Sequence, residues 1–163
     1  MSSNKTIIIG IALTLAVIIG GIALVSKSGP QELTASQTVQ AQISETSHDW
    51  GDIPINNGNV KKTFAIKNDS QGTLELANVS TSCMCTTAQI KINDKVSPFF
   101  GMHSNSTWRG QVPAGATAEV IVEFDPAFHG PNGVGQVTRQ VSLETNDQNH
   151  PKITLNVAGN VIK

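Results

Sequence analysis

The sequence has little cysteine, few aromatic residues and little charge. Two of its 163 residues are cysteine, 4% are aromatic, none is tyrosine, and charged residues make up 14%. Two cysteines are too few for a disulfide-rich scaffold. The formal net charge is -1 at pH 7, so no excess of positive charge indicates a nucleic-acid partner. We therefore expect neither a disulfide-stapled miniprotein nor a protein that binds nucleic acid.

Common catalytic motifs are missing as well. The chain has no G-x-S-x-G, no glycine-rich phosphate loop that leads into a helix, and no H-E-x-x-H. Ser47, His48 and Asp49 are consecutive, but a catalytic triad is assembled by the fold and not by adjacency in sequence. We therefore expect a non-enzymatic protein.

One long apolar run, "IIIGIALTLAVIIGGIALV", stands near the N-terminus at residues 7–25. As a helix it would be about 28 Å long, which is close to the hydrocarbon thickness of a bilayer. Lys5 and Lys27 flank it, so charge gives little orientation signal. The alternative is a cleaved signal peptide, whose apolar region usually has about 7–15 residues. The length favours an uncleaved anchor.

The composition divides the chain into four predicted segments. They are a short cytoplasmic tail at 1–6, a transmembrane helix at 7–25, a Ser/Thr/Gln-rich linker at 26–41 and a polar domain at 42–163. A short tail before the anchor and a large polar domain after it favour an outward-facing domain. We therefore predict a single-pass protein of the cell membrane whose C-terminal domain lies outside the cytoplasm.

The polar domain is predicted to consist of strands. Apolar and polar residues alternate with period two, turn residues separate the alternating segments, and no segment has a convincing helical period. The alternating segments are "KTFAIKN", "TLELANV", "AEVIVEF", "VTRQVSLETN" and "KITLNVAG". Six or seven short strands of this kind predict an all-β fold, an immunoglobulin-like antiparallel β-sandwich preceded by the single transmembrane helix.

Several motifs of the domain occur in a familiar order. They are an aromatic-Gly-x-Ile opening at Trp50 to Ile53, a strand end at Phe64 to Asn68 and a cysteine motif at Ser82 to Thr86. The later segments "VPAGATAEVIVEFDP", "ETND" and "LNVAGNV" look like closing strands. Over roughly residues 43–162 the chain resembles the bacterial family called domain of unknown function 1573. The resemblance implies an immunoglobulin-like sandwich, often exported and without an established activity, related to sandwich modules of ciliary and sperm proteins.

The chain departs from the family pattern in two places. Met84 stands between the cysteines, where the family usually has glycine. A stretch of about 20 residues, "KINDKVSPFFGMHSNSTWRGQ", enlarges the loop after Ile90. These two features are particular to this chain.

The two cysteines, Cys83 and Cys85, lie two positions apart in "STSCMCTT". On a strand both side chains would face the same way, with Cα atoms about 6.6 Å apart, at the upper edge of disulfide geometry. A bond that closes so small a loop removes little entropy from the unfolded chain. Three interpretations stay open: a grip on one soft metal ion, a redox-active disulfide, and thiols that only fill the core.

Further soft donors accompany the cysteines. Met102 and His103 are adjacent in the enlarged loop, and His129 follows later. Thiolate, thioether and imidazole suit Cu(I), and two cysteines with two histidines suit zinc. An extracytoplasmic location favours copper over zinc, since exposed thiols there otherwise oxidise. The predicted metal ligands are therefore Cys83 and Cys85 with His103, His129 or Met102.

The enlarged loop also carries aromatic side chains. Phe99, Phe100 and Trp108 lie in it, and exposed aromatics in a loop mark contact sites. We therefore predict a membrane-anchored, extracytoplasmic binding module that contacts an unidentified envelope protein through these side chains. A soft-metal-binding domain is the alternative function, and a thiol redox protein is the second alternative.

Overall fold

The computed structural model describes residues 13–15, 17 and 32–163. Residues 13–15 and 17 are helical and exposed. The rest of the predicted transmembrane segment at 7–25, and the predicted tail at 1–6, lie outside the described residues. Within the described part of the chain, no helix has both the length and the apolar character needed to cross a bilayer.

The domain is an all-β sandwich, as predicted. Its strands pair into two five-stranded sheets, in the order β1-β3-β8-β5-β6 and β2-β10-β9-β4-β7. The strands are β1 (Ala41–Ile43), β2 (Ser47–Pro54), β3 (Val60–Asn68), β4 (Leu74–Thr81), β5 (Thr86–Ile92), β6 (Lys95–Val96), β7 (Gly110–Val112), β8 (Thr117–Phe124), β9 (Gly135–Thr145) and β10 (Lys152–Ile162). All five alternating segments of the sequence lie on these strands.

One pairing differs from the predicted antiparallel arrangement. β2 lies parallel to β10, with Ser47 opposite Asn156, while the other strand pairs are antiparallel. Side-chain alternation predicts which face of a strand is buried but carries no information on the direction of its neighbour. Parallel pairing needs a long connection, and here the rest of the domain supplies it.

The core lies between the two sheets and follows the period-two pattern. In β10, Ile153, Leu155 and Val157 are buried and the residues between them are not. Phe64 and Ile66 of β3 are buried in the same way from the opposite sheet. Burying a side chain of this size contributes about 1.5–3 kcal/mol each. The apolar alternation therefore provides both the strand faces and the main stabilising term.

The segment just before β1 belongs to the folded domain. Val39, which the sequence placed in the linker at 26–41, is 5% exposed and packs in the main core. Ser36 forms an isolated bridge with Asp147, and its N–H donates to Asn146 O at 2.8 Å. Residues 36–41 therefore lie against the sandwich.

Asp147 fixes that segment to the loop between β9 and β10. Its side chain is fully buried, and its Oδ2 accepts hydrogen bonds from the N–H of Ala41 and from His150 Nδ1, both at 2.9 Å. Asn149 N–H donates to Oδ1 at 2.9 Å. Burial raises the pKa of the Asp147 carboxyl, but the hydrogen bonds from Ala41, His150 and Asn149 outweigh it and the pKa lies below its ordinary value.

The enlarged loop after Ile90 is ordered against β5. Phe100 pairs with Ala88 through two backbone hydrogen bonds of 2.8 and 2.9 Å. Phe100 is 1% exposed, and its ring lies 5.3 Å from that of Trp108. The insertion therefore adds the β6 hairpin and a core aromatic residue to one edge of the sandwich.

Candidate functional site at the Cys83–Cys85 disulfide

The two cysteines lie in a tight turn between β4 and β5. Thr81 ends β4, and its hydroxyl donates to the carbonyl oxygens of Cys83 and Thr86, at 2.9 and 3.0 Å. Thr86 N–H also donates to Cys83 O at 3.2 Å. The prediction that the cysteines occupy one strand was wrong, because the chain turns at this point and passes from one sheet to the other. The flanking threonines close the turn.

In this turn the two sulfur atoms form a disulfide. The Cα atoms are 5.3 Å apart, closer than the roughly 6.6 Å expected on an extended strand. The separation lies well within the range of ordinary disulfides. Both of the chain's cysteines are therefore used in one bond that spans a single residue, Met84.

The two sulfur atoms have different surroundings. Cys83 is half-buried, and its Sγ lies 3.8 Å from Nε2 of the exposed His129. Cys85 is 3% exposed, and its Sγ accepts a hydrogen bond from Arg139 Nε at 3.1 Å. One sulfur thus faces the outside beside an imidazole, and the other faces a fixed positive charge.

His129 is held by the loop that follows β8. Asp125 begins this loop, and its carboxylate accepts a hydrogen bond from Ala127 N–H at 2.9 Å. Gly130 N–H donates to Ala127 O at 2.8 Å, and the Phe128 ring stands edge-on to the imidazole at 5.2 Å. The loop therefore presents Phe128 and His129 side by side above the disulfide.

The predicted metal ligands are brought together only in part. Sγ of Cys83, Sγ of Cys85 and one ring nitrogen of His129 lie within 4.8 Å of one another. His103 is not in this group; it and Met102 are exposed in a turn of the enlarged loop. Two thiolates and one imidazole form a donor set that fits Cu(I) or an open zinc site. Such a site would require the disulfide to be reduced first.

The predicted aromatic contact residues have separated roles. Phe99 is 65% exposed, whereas Phe100 is a core residue and Trp108 is half-buried against the core. The prediction of a surface role for Phe100 was therefore wrong, because its backbone pairing with Ala88 turns its ring inward. Of the three aromatics, Phe99 offers the largest exposed surface.

An exposed apolar surface does exist, with different members. Met84, Phe99 and Phe128 are 61%, 65% and 46% exposed. All three line one groove of about 280 Å³ beside Cys85. We call these three side chains the apolar rim. Met84 and Cys85 of the disulfide turn both line this groove, so the two features particular to this chain, Met84 and the enlarged loop, meet at the same place.

The polar side of the groove carries a stabilised carboxylate. Glu123 accepts a hydrogen bond from Asn59 Nδ2 at 2.8 Å and forms an ion pair with Lys61 at 3.1 Å. The bond from Asn59 lowers the pKa of Glu123 below its ordinary value; burial opposes this, and Lys61 adds to it. The groove is thus apolar at its rim and ionised on one wall.

Comparison with known families finds a match that contains the cysteine turn. A family model described as protein of unknown function (DUF1573) matches residues 41–98. The DUF1573 match runs from β1 through β6, which supports the resemblance seen in the sequence motifs. His129 and Arg139 lie beyond the matched residues. No curated protein is a significant match.

Comparison with solved structures supports the fold. A protein of unknown function from Porphyromonas gingivalis W83 superposes with a TM-score of 0.58 at 22% identity. The alignment covers 78% of this chain and 49% of that one, so the chain spans about half the length of that protein. The ASH/PapD-like domain 7 of human CEP192 has a TM-score of 0.48 at 14% identity, with 82% and 92% covered. At 22% identity the likeness to the Porphyromonas gingivalis protein shows the sandwich fold alone.

Sequence reasoning missed two residues of the site. Arg139 gave no signal, because its partner Cys85 is 54 positions away and an arginine on a strand is usually a solvated side chain. Phe128 precedes His129 directly, and an apolar residue in the turn segment "FDPAFHGPNG" was the signal that could have identified it.

Proposed function

We propose that this chain is a non-enzymatic binding module of the cell envelope, which holds a protein partner at the apolar rim. In this proposal residues 7–25 anchor the chain in the membrane and the sandwich lies outside the cytoplasm. The observation that carries the proposal is the shared exposure of Met84, Phe99 and Phe128 around one groove. A cluster of exposed apolar side chains often marks an interaction surface, whereas apolar side chains that are exposed singly are common and need no explanation.

The lining of the groove favours a protein partner over a small molecule. Apolar side chains at the rim and polar groups such as Glu123 and Asn59 on one wall resemble the core and margin of a protein interface. An apolar side chain of a partner segment would enter the groove.

A photo-crosslinking experiment tests the binding surface. A benzophenone amino acid replaces Phe99 in one variant and Val96 in the other, and both are irradiated in cells that produce the full chain. Val96 is the matched control, since it is 56% exposed in β6 and lies outside the rim. We expect one discrete protein adduct from position 99 and none from position 96.

A second measurement tests whether binding of the captured protein depends on the side chains of the apolar rim. With the captured protein purified, Met84→Ser combined with Phe99→Ser should weaken its affinity at least tenfold, because buried apolar contacts at an interface are lost. Val96→Ser should leave the affinity unchanged. Equal crosslinking from both positions, or an affinity that the double variant does not change, would refute the proposed surface.

The proposed anchor has its own test. In one experiment, membranes from cells that produce the full chain are washed with alkaline carbonate. In a second experiment, protease is added to cells from which only the outer barrier has been removed. We expect the chain to stay in the pellet and its domain to be cleaved. A variant without residues 7–25 should leave the membrane fraction. Recovery of the full chain in the wash would contradict the anchor.

A second candidate function is soft-metal binding, favoured by the approach of Cys83, Cys85 and His129 to within 4.8 Å. The reduced protein is titrated with Cu(I) against a chromophoric chelator. We expect one equivalent to bind, and His129→Ala to weaken binding while His103→Ala leaves it unchanged. Binding that persists in the Cys83→Ser/Cys85→Ser variant would eliminate this site. The same titration with Zn(II) separates copper from zinc.

A further inference from the structure

The two cysteines of the disulfide differ in solvent exposure, and this difference bears on how the bond would react with a thiol. Cys83 is half-buried next to His129, while Cys85 is almost fully buried at 3% exposure. Thiol–disulfide exchange requires an incoming thiolate to reach one sulfur while the other leaves with the bonding electrons. Access therefore favours attack at Cys83, and Cys85 then becomes the leaving sulfur.

Arg139 is placed to stabilise that leaving group. Its Nε donates to Cys85 Sγ at 3.1 Å, and its terminal nitrogen donates to Thr138 O at 2.9 Å. The guanidinium also lies over the Phe124 ring, 5.9 Å from its centroid. Within residues 32–163 no carboxylate pairs with Arg139. Its positive charge is therefore fixed in position and free to interact with negative charge that develops on Cys85.

We propose that the Cys83–Cys85 disulfide exchanges with thiols, with Cys83 Sγ as the attacked sulfur and Cys85 Sγ as the leaving thiolate. The incoming thiol gives its proton to solvent, and its sulfur forms a bond to Cys83 as the Cys83–Cys85 bond breaks. The bonding electrons pass to Cys85, beside Arg139. Arg139 acts as a positioning residue.

A second thiol of the co-reactant completes the reaction. It attacks the mixed disulfide, forms a disulfide within the co-reactant and releases Cys83 as a thiolate. The co-reactant dithiol loses two electrons, and this chain gains them as two thiols. The apolar rim borders the disulfide turn on the side of Cys85, whose sulfur is bonded to that of Cys83, so a protein dithiol docked there would lie next to the disulfide.

Only the identity of the thiol carrier rests on the proposed function, since the chemistry itself is tested with glutathione. The oxidised full chain in detergent micelles is mixed with reduced glutathione, trapped with an alkylating agent at set times and mapped by mass spectrometry. We expect glutathione on Cys83 and the alkyl group on Cys85. Glutathione on Cys85, or equal amounts on both, would overturn the assignment.

Variants of the positive charge supply the second readout. Arg139→Gln should slow reduction of the disulfide by glutathione about tenfold, because the leaving thiolate loses its fixed charge partner, and Arg139→Lys should recover part of the rate. Lys95→Gln removes one exposed positive charge elsewhere and should leave the rate unchanged. Circular dichroism checks that each variant is folded.

The outcomes separate this inference from the proposed function. An unchanged rate in folded Arg139→Gln, or a disulfide that glutathione does not reduce in the folded chain, would refute the exchange chemistry. Exchange on Cys83 without any adduct from position 99 would leave the chemistry intact and refute the docked protein partner. An adduct without exchange would do the opposite.

Discussion

Replacing Asp147 with alanine tests how the segment before β1 is attached to the sandwich. The buried carboxylate accepts hydrogen bonds from Ala41 N–H, Asn149 N–H and His150 Nδ1, each at 2.9 Å. Alanine leaves the buried Ala41 N–H without an acceptor and also removes the bridge to His150. We therefore expect Asp147→Ala to lower the free energy of unfolding.

The expected loss is about 3 kcal/mol. An N–H left unsatisfied in the interior costs about 1–3 kcal/mol, and a hydrogen bond to a charged group contributes about 1.5–3 kcal/mol. Asn149 and His150 are near solvent, so water replaces part of what they lose, and removal of the buried charge recovers some desolvation cost. The sum therefore stays below that of three independent bonds.

Urea unfolding followed by circular dichroism measures the loss. Asp52→Ala is the matched control, since Asp52 is exposed and accepts one hydrogen bond from Asn160; its effect should stay within about 0.5 kcal/mol. A loss below 1 kcal/mol for Asp147→Ala, or equal losses for both variants, would show that the carboxylate does not hold the segment.

The pH dependence has a definite sign. Because the folded-state pKa of Asp147 lies below its ordinary value, the carboxylate stabilises the fold at pH values above the unfolded pKa of about 3.9. That stabilisation is lost as the pH falls through the folded-state pKa. The difference in unfolding free energy between the natural chain and Asp147→Ala should therefore shrink as the pH falls below about 4. A difference that grows on acidification would contradict the assignment.

Two further predictions concern packing. A fragment of residues 42–163 should have a free energy of unfolding at least about 2 kcal/mol lower than a fragment of residues 32–163, because it loses the buried Val39. Equal urea midpoints for the two fragments would mean that the segment is only a tether. Phe100→Ala should cost about 3–5 kcal/mol, whereas Phe99→Ala, at a position 65% exposed, should change the unfolding free energy by less than about 0.5 kcal/mol. Similar losses for both phenylalanines in the same urea assay would reverse the assignment of core and surface.

The strands could be predicted from the sequence because burial imposes its own period. In β8, Val120, Val122 and Phe124 alternate with more exposed residues, and only an extended chain places every second side chain on one face. The same reasoning located the strands around Phe64 and Leu155. Local alternation is a property of each strand alone, so no knowledge of its neighbours was needed.

The candidate site depended on information that alternation does not carry. The segment that looked extended through Cys83 and Cys85 is a turn between the two sheets, and hydrogen bonds from the hydroxyl of Thr81 stabilise it. His129 and Arg139 reach the disulfide from loops and strands distant in sequence. Spacing alone could propose His129 as a partner of the cysteines, but it could not separate it from His103.

The parallel pairing of β2 with β10 has a consequence for how the domain is made. Asp52 and Asn160, joined by a hydrogen bond between these strands, are 108 residues apart in the chain. β10 also lies between β2 and β9, so a chain that is still being synthesised holds β2 without a neighbour and β9 with an open edge. Such edges recruit other chains, and distant pairings of this kind form slowly. A chain that stops short of β10 therefore loses an interior strand of its sheet, which leaves β2 unpaired and exposes an edge of β9.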